Sequence, residues 1–132
     1  MAGESTAKAT VISMKCQTAD ITKKYLLKIN PAAPDYVLHP SAVGECCIGI
    51  AMDGADISEG DIHVPVGLLT GGGTFVGLSS TDITAGALLM TDAVGKLITY
   101  ASSGTRYIVG IAMETVTGAD KDVLFAPFVQ KA

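Results

Sequence analysis

The stretch Gly49-Ile50-Ala51-Met52-Asp53 decides the fold, because it returns 61 residues later as Gly110-Ile111-Ala112-Met113-Glu114. Twelve residues after each of these glycines an Asp precedes a β-branched residue, in Asp61-Ile62 and again in Asp122-Val123. Blocks that recur in the same order at the same spacing indicate a tandem duplication. A duplicated unit of this kind is the pattern of a packed scaffold, and it contains no catalytic residues.

Another block recurs upstream of each of these stretches. Asp20-Ile21-Thr22 is followed after three residues by Leu26-Leu27, and Asp82-Ile83-Thr84 is followed at the same distance by Leu88-Leu89. The Asp and Thr side chains are suited to hydrogen-bond nearby backbone groups and fix a turn. The isoleucine then fills the core at the base of the turn, and the paired leucines begin the next strand.

The structural repeat is assigned to eight positions: Asp20, Ile21, Gly49, Ile50, Asp82, Ile83, Gly110 and Ile111. The glycines leave room for a crossing backbone, and the isoleucine after each glycine is expected in the core. Ile50→Asp or Ile111→Asp should therefore unfold its half, because an unpaired buried charge costs several kcal/mol. The turn at Ala85-Gly86 is expected to be tighter than its counterpart at Lys23-Lys24, since glycine tolerates a left-handed backbone.

Short apolar runs bounded by Gly, Pro, Asp and Ser fill the chain, and no stretch keeps a helical period. The predicted strands are Val11–Cys16, Tyr25–Ile29, Tyr36–Leu38, Cys46–Met52, Ile62–Leu69, Thr74–Leu78, Ala87–Met90, Leu97–Tyr100, Arg106–Met113 and Asp122–Val129. One strand and turn for about every ten residues is typical of a sandwich or barrel. The sequence predicts one all-β domain over residues 11–132, a small β-sandwich or barrel whose similar halves are residues 11–70 and 74–132.

Two segments lie outside these halves. Gly71-Gly72-Gly73 suits a bend or a close approach of two backbones, and it lacks the Gly-Lys-Ser/Thr of a phosphate loop. Residues 1–10 are rich in Ala, Ser, Thr and Gly, with too little apolar content to fold alone. We expect them to form a flexible N-terminal arm that a partner orders.

Composition excludes several classes of function. Of the 132 residues, 48% are hydrophobic and only 17% are charged, so we expect part of the surface to be buried against other chains. No apolar run approaches the roughly 18–20 residues that span a bilayer, and the N-terminus lacks the pattern of a secretory signal. The net charge is −4 without a basic cluster, which argues against nucleic-acid binding.

The residues that could carry chemistry form no recognised constellation. The acidic loop Asp53–Asp61 lacks the spacing of a calcium loop, and His39 and His63 have no partners at metal-ligand spacing. Cys16, Cys46 and Cys47 cannot form a closed disulfide framework and are expected to be reduced, buried thiols. No nucleophile, base and orienting group can be assigned. We therefore predict no catalytic residue, no bound metal and no cofactor.

The stretch from Asp82-Ile83-Thr84-Ala85-Gly86 through Gly95-Lys96-Leu97, followed by Val109-Gly110-Ile111-Ala112-Met113-Glu114, resembles the small decoration, or cement, proteins of tailed-bacteriophage capsids. The first half shows a weaker likeness, and Ala87 stands where a charged residue is common in that family. The resemblance implies a structural protein that binds the outside of an assembled capsid and stabilises the shell. It also implies the major capsid protein as partner, assembly as a homotrimer, synthesis in the host cytoplasm and a place on the virion exterior.

The arm is the part of the chain that we expect to become ordered on such a partner. The contact residues predicted within it are Glu4, Ser5, Thr6, Lys8 and Thr10. Ordering them costs about a kcal/mol per residue in lost chain entropy. Deleting the arm should therefore weaken attachment and leave the melting temperature nearly unchanged.

Three alternatives remain from the sequence. The first is another virion part, such as a head-fibre base or a tail component, built on the same β unit. The second is a small ligand- or carbohydrate-binding β module, although the chain has no Trp and only 5% aromatic residues for stacking on a sugar. The third is an enzyme whose active-site residues are dispersed along the chain.

Overall fold

A computed structural model describes residues 9–16 and 20–132 of the protein, and it is all-β, which confirms the predicted fold class. The strands are β1 (Val11–Lys15), β2 (Leu26–Asn30), β3 (Ala33–Leu38), β4 (Gly49–Ala51), β5 (His63–Leu68), β6 (Phe75–Leu78), β7 (Leu88–Thr91), β8 (Leu97–Thr99), β9 (Tyr107–Ala112) and β10 (Asp122–Lys131). Each overlaps one predicted strand. The largest differences are β4, which is shorter than the predicted Cys46–Met52, and β3, which begins at Ala33 rather than Tyr36.

The two halves have the same topology. In the first half, β1-β3-β2-β4-β5 form a closed barrel, in which a parallel pair between Lys15 and Tyr36 joins β1 to β3. In the second half, β6-β10-β9-β7-β8 form a five-stranded sheet, and a parallel bridge between Ser79 and Leu97 joins its two ends. Each half is thus a small barrel closed at the same place.

The first two repeated blocks occupy equivalent places in the two barrels. Antiparallel bridges join Ile21 to Ala55 in the first half and Ile83 to Val116 in the second. The leucine pairs also match, since Leu26 pairs with Ile50 as Leu88 pairs with Ile111. Gly49 and Gly110 lie where a side chain would overlap the backbone of the neighbouring strand, which explains the glycine.

The third block is a correction, because Asp61-Ile62 and Asp122-Val123 are not equivalent. The Cys16 amide donates to the Ile62 carbonyl, whereas the matching bond in the second half runs from Ser79 to Lys121. Ile62 therefore corresponds to Lys121. The cause is a 3₁₀ turn at Ile57–Glu59, which makes this loop two residues longer in the first half.

The predicted difference between the two Asp-Ile-Thr turns is also wrong. Lys24 adopts a positive φ of 72° and Gly86 one of 87°, so both turns have a left-handed backbone at the same position. The Lys24 amide donates to Ala51 and the Gly86 amide to Ala112 in the same way, both at 2.8 Å. The first half thus holds a lysine in a conformation that favours glycine.

The hydrophobic core has two parts. Inward-facing residues of the first barrel form one cluster: Cys16, Ile21, Leu27, Val37, Ala51, Ala55, Val64 and Val66. The second cluster combines the interior of the second barrel, including Leu89 and Phe125, with Leu26 and Ile50 from the outer face of the first barrel. The halves are therefore fused through a shared core. In residues 9–16 and 20–132, no helix is long and apolar enough to cross a membrane.

Candidate functional surfaces

The predicted arm leaves the barrels at the junction between the two halves. Thr10 is fixed there, because its carbonyl accepts a 2.9 Å hydrogen bond from the Leu68 amide and its hydroxyl donates to Gly71 at 3.3 Å. The backbone of Ala9 lies against Gly73, where an added Cβ would come within 2.8 Å. The glycine triplet thus provides the close backbone approach that its composition predicts. The other predicted contact residues, Glu4, Ser5, Thr6 and Lys8, lie outside the described residues.

The acidic loop Asp53–Asp61 uses its carboxylates to hold its own backbone. Asp56 accepts from the Ser58 amide at 2.9 Å, and Asp61 accepts from the Asp56 amide at 3.0 Å. Asp20 reaches across to accept from the Ile57 amide at 2.9 Å, as Asp82 accepts from Gly118 in the second half. In the part of the chain that the structure covers, no three His, Cys, Asp or Glu side chains are grouped to hold a metal ion.

His39 has a structural role that sequence reasoning missed. Its Nε2 accepts a 3.0 Å hydrogen bond from the Thr22 amide, and its ring lies 5.1 Å from the Tyr25 ring, centroid to centroid. Burial lowers the pKa of His39 below its ordinary value. A neutral imidazole is required to accept this bond, so His39 supports the first Asp-Ile-Thr turn. His63 is exposed at the start of β5, where it pairs with Lys15.

The cysteines correct the prediction at one position. Cys16 and Cys47 are buried, but Cys46 is exposed. Cys46 and Cys47 are adjacent and point to opposite sides of the chain, so only one of them reaches the core. Burial raises the pKa of the Cys47 thiol to about 12, which leaves it protonated at neutral pH. No disulfide joins the three.

A shallow groove of about 520 Å³ lies beside these cysteines; it is lined by Lys28, Ile29, Pro31, Glu45, Cys46, Cys47, Ile48, Thr70 and Val129. Lys28 and Glu45 form a 2.8 Å ion pair in its wall. Burial would raise the pKa of Glu45, but hydrogen bonds from Lys28 and from the Ser41 and Ala42 amides outweigh it and lower the pKa. The charged pair is thus satisfied internally. Because none of the lining residues is aromatic, the groove offers no ring on which a sugar could stack.

Two exposed apolar surfaces lie at positions that the sequence did not indicate. The first, which we call the second-half outer face, consists of Leu88, Ile111 and Ala126 on adjacent strands. Ile111 was predicted in the core, yet it is 38% exposed, because the inward position on β9 belongs to Ala112. The second surface, the first-half mouth, is marked by Ile12, which lies beside the inward-facing Val66 at the open end of the first barrel and is 38% exposed.

Comparison with known proteins decides the family. The sequence matches the family of phage cement proteins over residues 6–127, which is most of the chain. The chain belongs to the phage cement protein family. It is therefore a structural component of the phage virion that is located on the capsid exterior. The resemblance seen in the second half thus extends through both halves.

A solved structure shares the fold. The chain is similar to the N base of the head fibre protein gp8.5 of bacteriophage phi29, with a TM-score of 0.68 and 16% sequence identity. The match covers 91% of this chain and 94% of the fibre base. At this identity the similarity concerns the fold alone. No curated protein matches the sequence.

Proposed function

We propose that this protein attaches to the outer surface of an assembled capsid, with the major capsid protein as its partner, and stabilises the shell. The observation that carries the proposal is the match to the phage cement family over residues 6–127. The described residues support a binding role, because their buried polar groups serve the fold and their exposed apolar groups form surfaces. We propose that the protein is not an enzyme and that it needs no cofactor.

The stabilising mechanism is thermodynamic linkage. A protein that binds the assembled lattice and not the dissociated subunits shifts the equilibrium toward the lattice, by about 4 kcal/mol per site when it is present at a thousand times Kd. It also favours the shell conformation that displays the complete binding site. Repetition of this free energy over many identical sites resists internal pressure without any single strong bond.

The arm is the proposed capsid contact, through Glu4, Ser5, Thr6, Lys8 and Thr10. Thr10 supports this assignment because it is anchored to the body beside Gly71 and so fixes the point from which the preceding residues extend. We further propose that the protein acts as a homotrimer and binds no nucleic acid. A net charge of −4 disfavours binding to phosphate groups and to a negatively charged partner surface.

Sedimentation with bare shells tests the proposal. Purified protein is mixed with shells that lack it, and the shells are pelleted and then melted. We expect saturable co-sedimentation and a higher shell melting temperature, but no binding to dissociated capsid subunits. Equal binding to subunits and shells, or no binding to either, would contradict a cement function.

A variant lacking residues 2–8 tests the arm. The deletion stops before Ala9 and Thr10, because both contact the body. We expect at least a tenfold loss of affinity for shells and an unchanged melting temperature of the free protein. Full affinity in this variant would place the capsid contact on the barrels instead.

A head-fibre base is the second candidate, and the likeness to the phi29 fibre base in fold supports it. Electron microscopy of particles with and without the protein separates the two functions. A compact density that disappears with the protein supports a cement. The loss of a projecting fibre together with the protein supports a fibre base.

A further inference from the structure

Equivalent residues of the two halves differ sharply in burial. Leu26 and Ile50, on the outer face of the first barrel, are 0% and 1% exposed. Their equivalents, Leu88 and Ile111, are 39% and 38% exposed. Both pairs occupy the same position in the same ladder, so the fold of each half does not cause the difference. It arises from what covers each face.

The second half covers the outer face of the first. The ring of Phe75 lies against Gly67, where any Cβ would collide with it, and the Gly95 carbonyl accepts a 2.8 Å hydrogen bond from the Leu26 amide. Phe75 belongs to β6, at the mouth of the second barrel, where it pairs with Phe125. The joint between the halves is therefore a barrel mouth seated on an outer sheet face.

The same mouth exists on the first half and remains exposed. Ile12 pairs with Val66 on β5 as Phe75 pairs with Phe125 on β10, so Ile12 is the equivalent of Phe75. Phe75 is 3% exposed, whereas Ile12 is 38% exposed. The chain thus carries one copy of each partner surface that the internal joint uses: the first-half mouth and the second-half outer face.

We infer that the first-half mouth of one copy docks on the second-half outer face of another copy, in the arrangement that already joins the two halves within the chain. Ile12 would lie over Ala126, as Phe75 lies over Gly67. Leu88 and Ile111 would then become covered, as Leu26 and Ile50 are. The occupant is a second copy because the chain itself shows which surface fits this face.

The contact between copies is weaker than the internal joint. The internal joint includes a 2.9 Å ion pair between Lys24 and Asp122. The equivalent positions are Gly86 and His63, which form no such pair. Ala126 also adds a methyl group where Gly67 has none. We therefore expect an association that is reversible with dilution.

This inference specifies the self-association proposed above and does not depend on capsid binding. A mouth and a sheet face are different surfaces, so the interface is heterologous, which is the type that cyclic trimers use. A two-fold dimer would instead pair each surface with itself. The distinction determines how mixed variants behave.

Size-exclusion chromatography with light scattering, over a range of concentrations, provides the test. We expect the wild-type protein to be oligomeric, and Ile12→Asp and Ile111→Asp each to be monomeric. Leu88→Asp repeats the disruption of the outer face at another residue. The matched control is Ile62→Asp. Ile62 is 50% exposed and precedes the first residue of β5, whereas Gly67 lies near the last residue of that strand. Circular dichroism confirms that each variant is folded.

Mixing the two monomeric variants gives the sharpest outcome. Ile12→Asp keeps an intact outer face and Ile111→Asp keeps an intact mouth, so the mixture should form a heterodimer and nothing larger. A monomeric wild-type protein, an oligomer that survives both substitutions, or a mixture that stays monomeric would overturn the inference. The variant lacking residues 2–8 should still oligomerise; its dissociation would make the arm the occupant. Failure to bind shells would leave these results unaffected.

Discussion

The two halves of this protein have one fold and different surroundings. Both are five-stranded barrels with the same ladder partners. The outer face of the first is sealed by the second, and the outer face of the second is open to solvent. The two halves therefore share the pattern of strands but not the environment of each residue. A repeated hydrophobic residue can be core in one copy and interface in the other.

The largest effect that tests this comparison is the difference between Ile50→Asp and Ile111→Asp. Ile50 is sealed between the halves, so an unpaired carboxylate there should cost several kcal/mol and abolish folding near room temperature. Ile111 is partly exposed, so its carboxylate stays hydrated and should cost less than about 1 kcal/mol. Urea denaturation of dilute protein measures both.

Leu26→Asp and Leu88→Asp form the matched pair for this prediction. They lie opposite the two isoleucines in the ladder and should show the same contrast. If Ile111→Asp and Leu88→Asp both unfold the dilute protein, the second outer face is part of the core, and the contrast between the halves is lost.

The next largest effect on stability is expected at the two equivalent Asp-Ile-Thr turns, at Lys24 and Gly86. Gly86→Lys gives the second half the residue of the first and should cost about 1 kcal/mol, because a left-handed backbone is unfavourable for a residue with a Cβ. Lys24→Gly should stabilise the first half by a smaller amount, since it also removes the exposed ion pair with Asp122. Thermal melting of each variant measures the change.

Asp122→Asn supplies the control for that ion pair. Lys24→Gly made on the Asp122→Asn background should show a larger stabilisation than Lys24→Gly alone, because the pair is already absent. A destabilising Lys24→Gly on both backgrounds would show that the lysine stem, and not the ion pair, contributes packing at this turn.

The sequence was sufficient for the parts of the fold that depend on local pattern. Alternating apolar runs and turn residues located each strand of the described residues, and the recurring Asp-Ile-Thr and Gly-Ile-Ala-Met blocks lie at equivalent places in the two halves. It failed where a residue's environment depends on a distant contact. Nothing in the sequence near Ile111 distinguishes it from Ile50, because the covering residue Phe75 belongs to the other half. The 3₁₀ turn at Ile57–Glu59 was missed because the spacing of twelve residues happened to recur.

The surfaces were harder to predict than the fold for the same reason. The surplus of apolar residues indicated that other chains cover part of the surface, but composition does not say which residues form that part. Ile12 belongs to a strand with an ordinary sequence pattern, and only the burial of Phe75 at the equivalent place identifies it as part of a joint. The arm residues Glu4, Ser5, Thr6 and Lys8 remain a prediction.

The smallest effect concerns His39, which supports the first Asp-Ile-Thr turn by accepting a hydrogen bond from the Thr22 amide. The corresponding turn of the second half is held by a different bond, which the Ala85 amide donates to Thr115 Oγ1. Burial lowers the pKa of His39 from its ordinary 6.5, so the native state binds fewer protons than the unfolded state as pH falls below 6.5. The contribution of His39 to stability is then fully present above that pH and decreases toward the lowered native pKa.

Urea denaturation between pH 7.5 and 5 should show this loss of stability, and His39→Gln should reduce the loss because glutamine does not titrate. An equal slope in the wild-type protein and in His39→Gln would show that the Thr22 bond does not depend on a neutral ring.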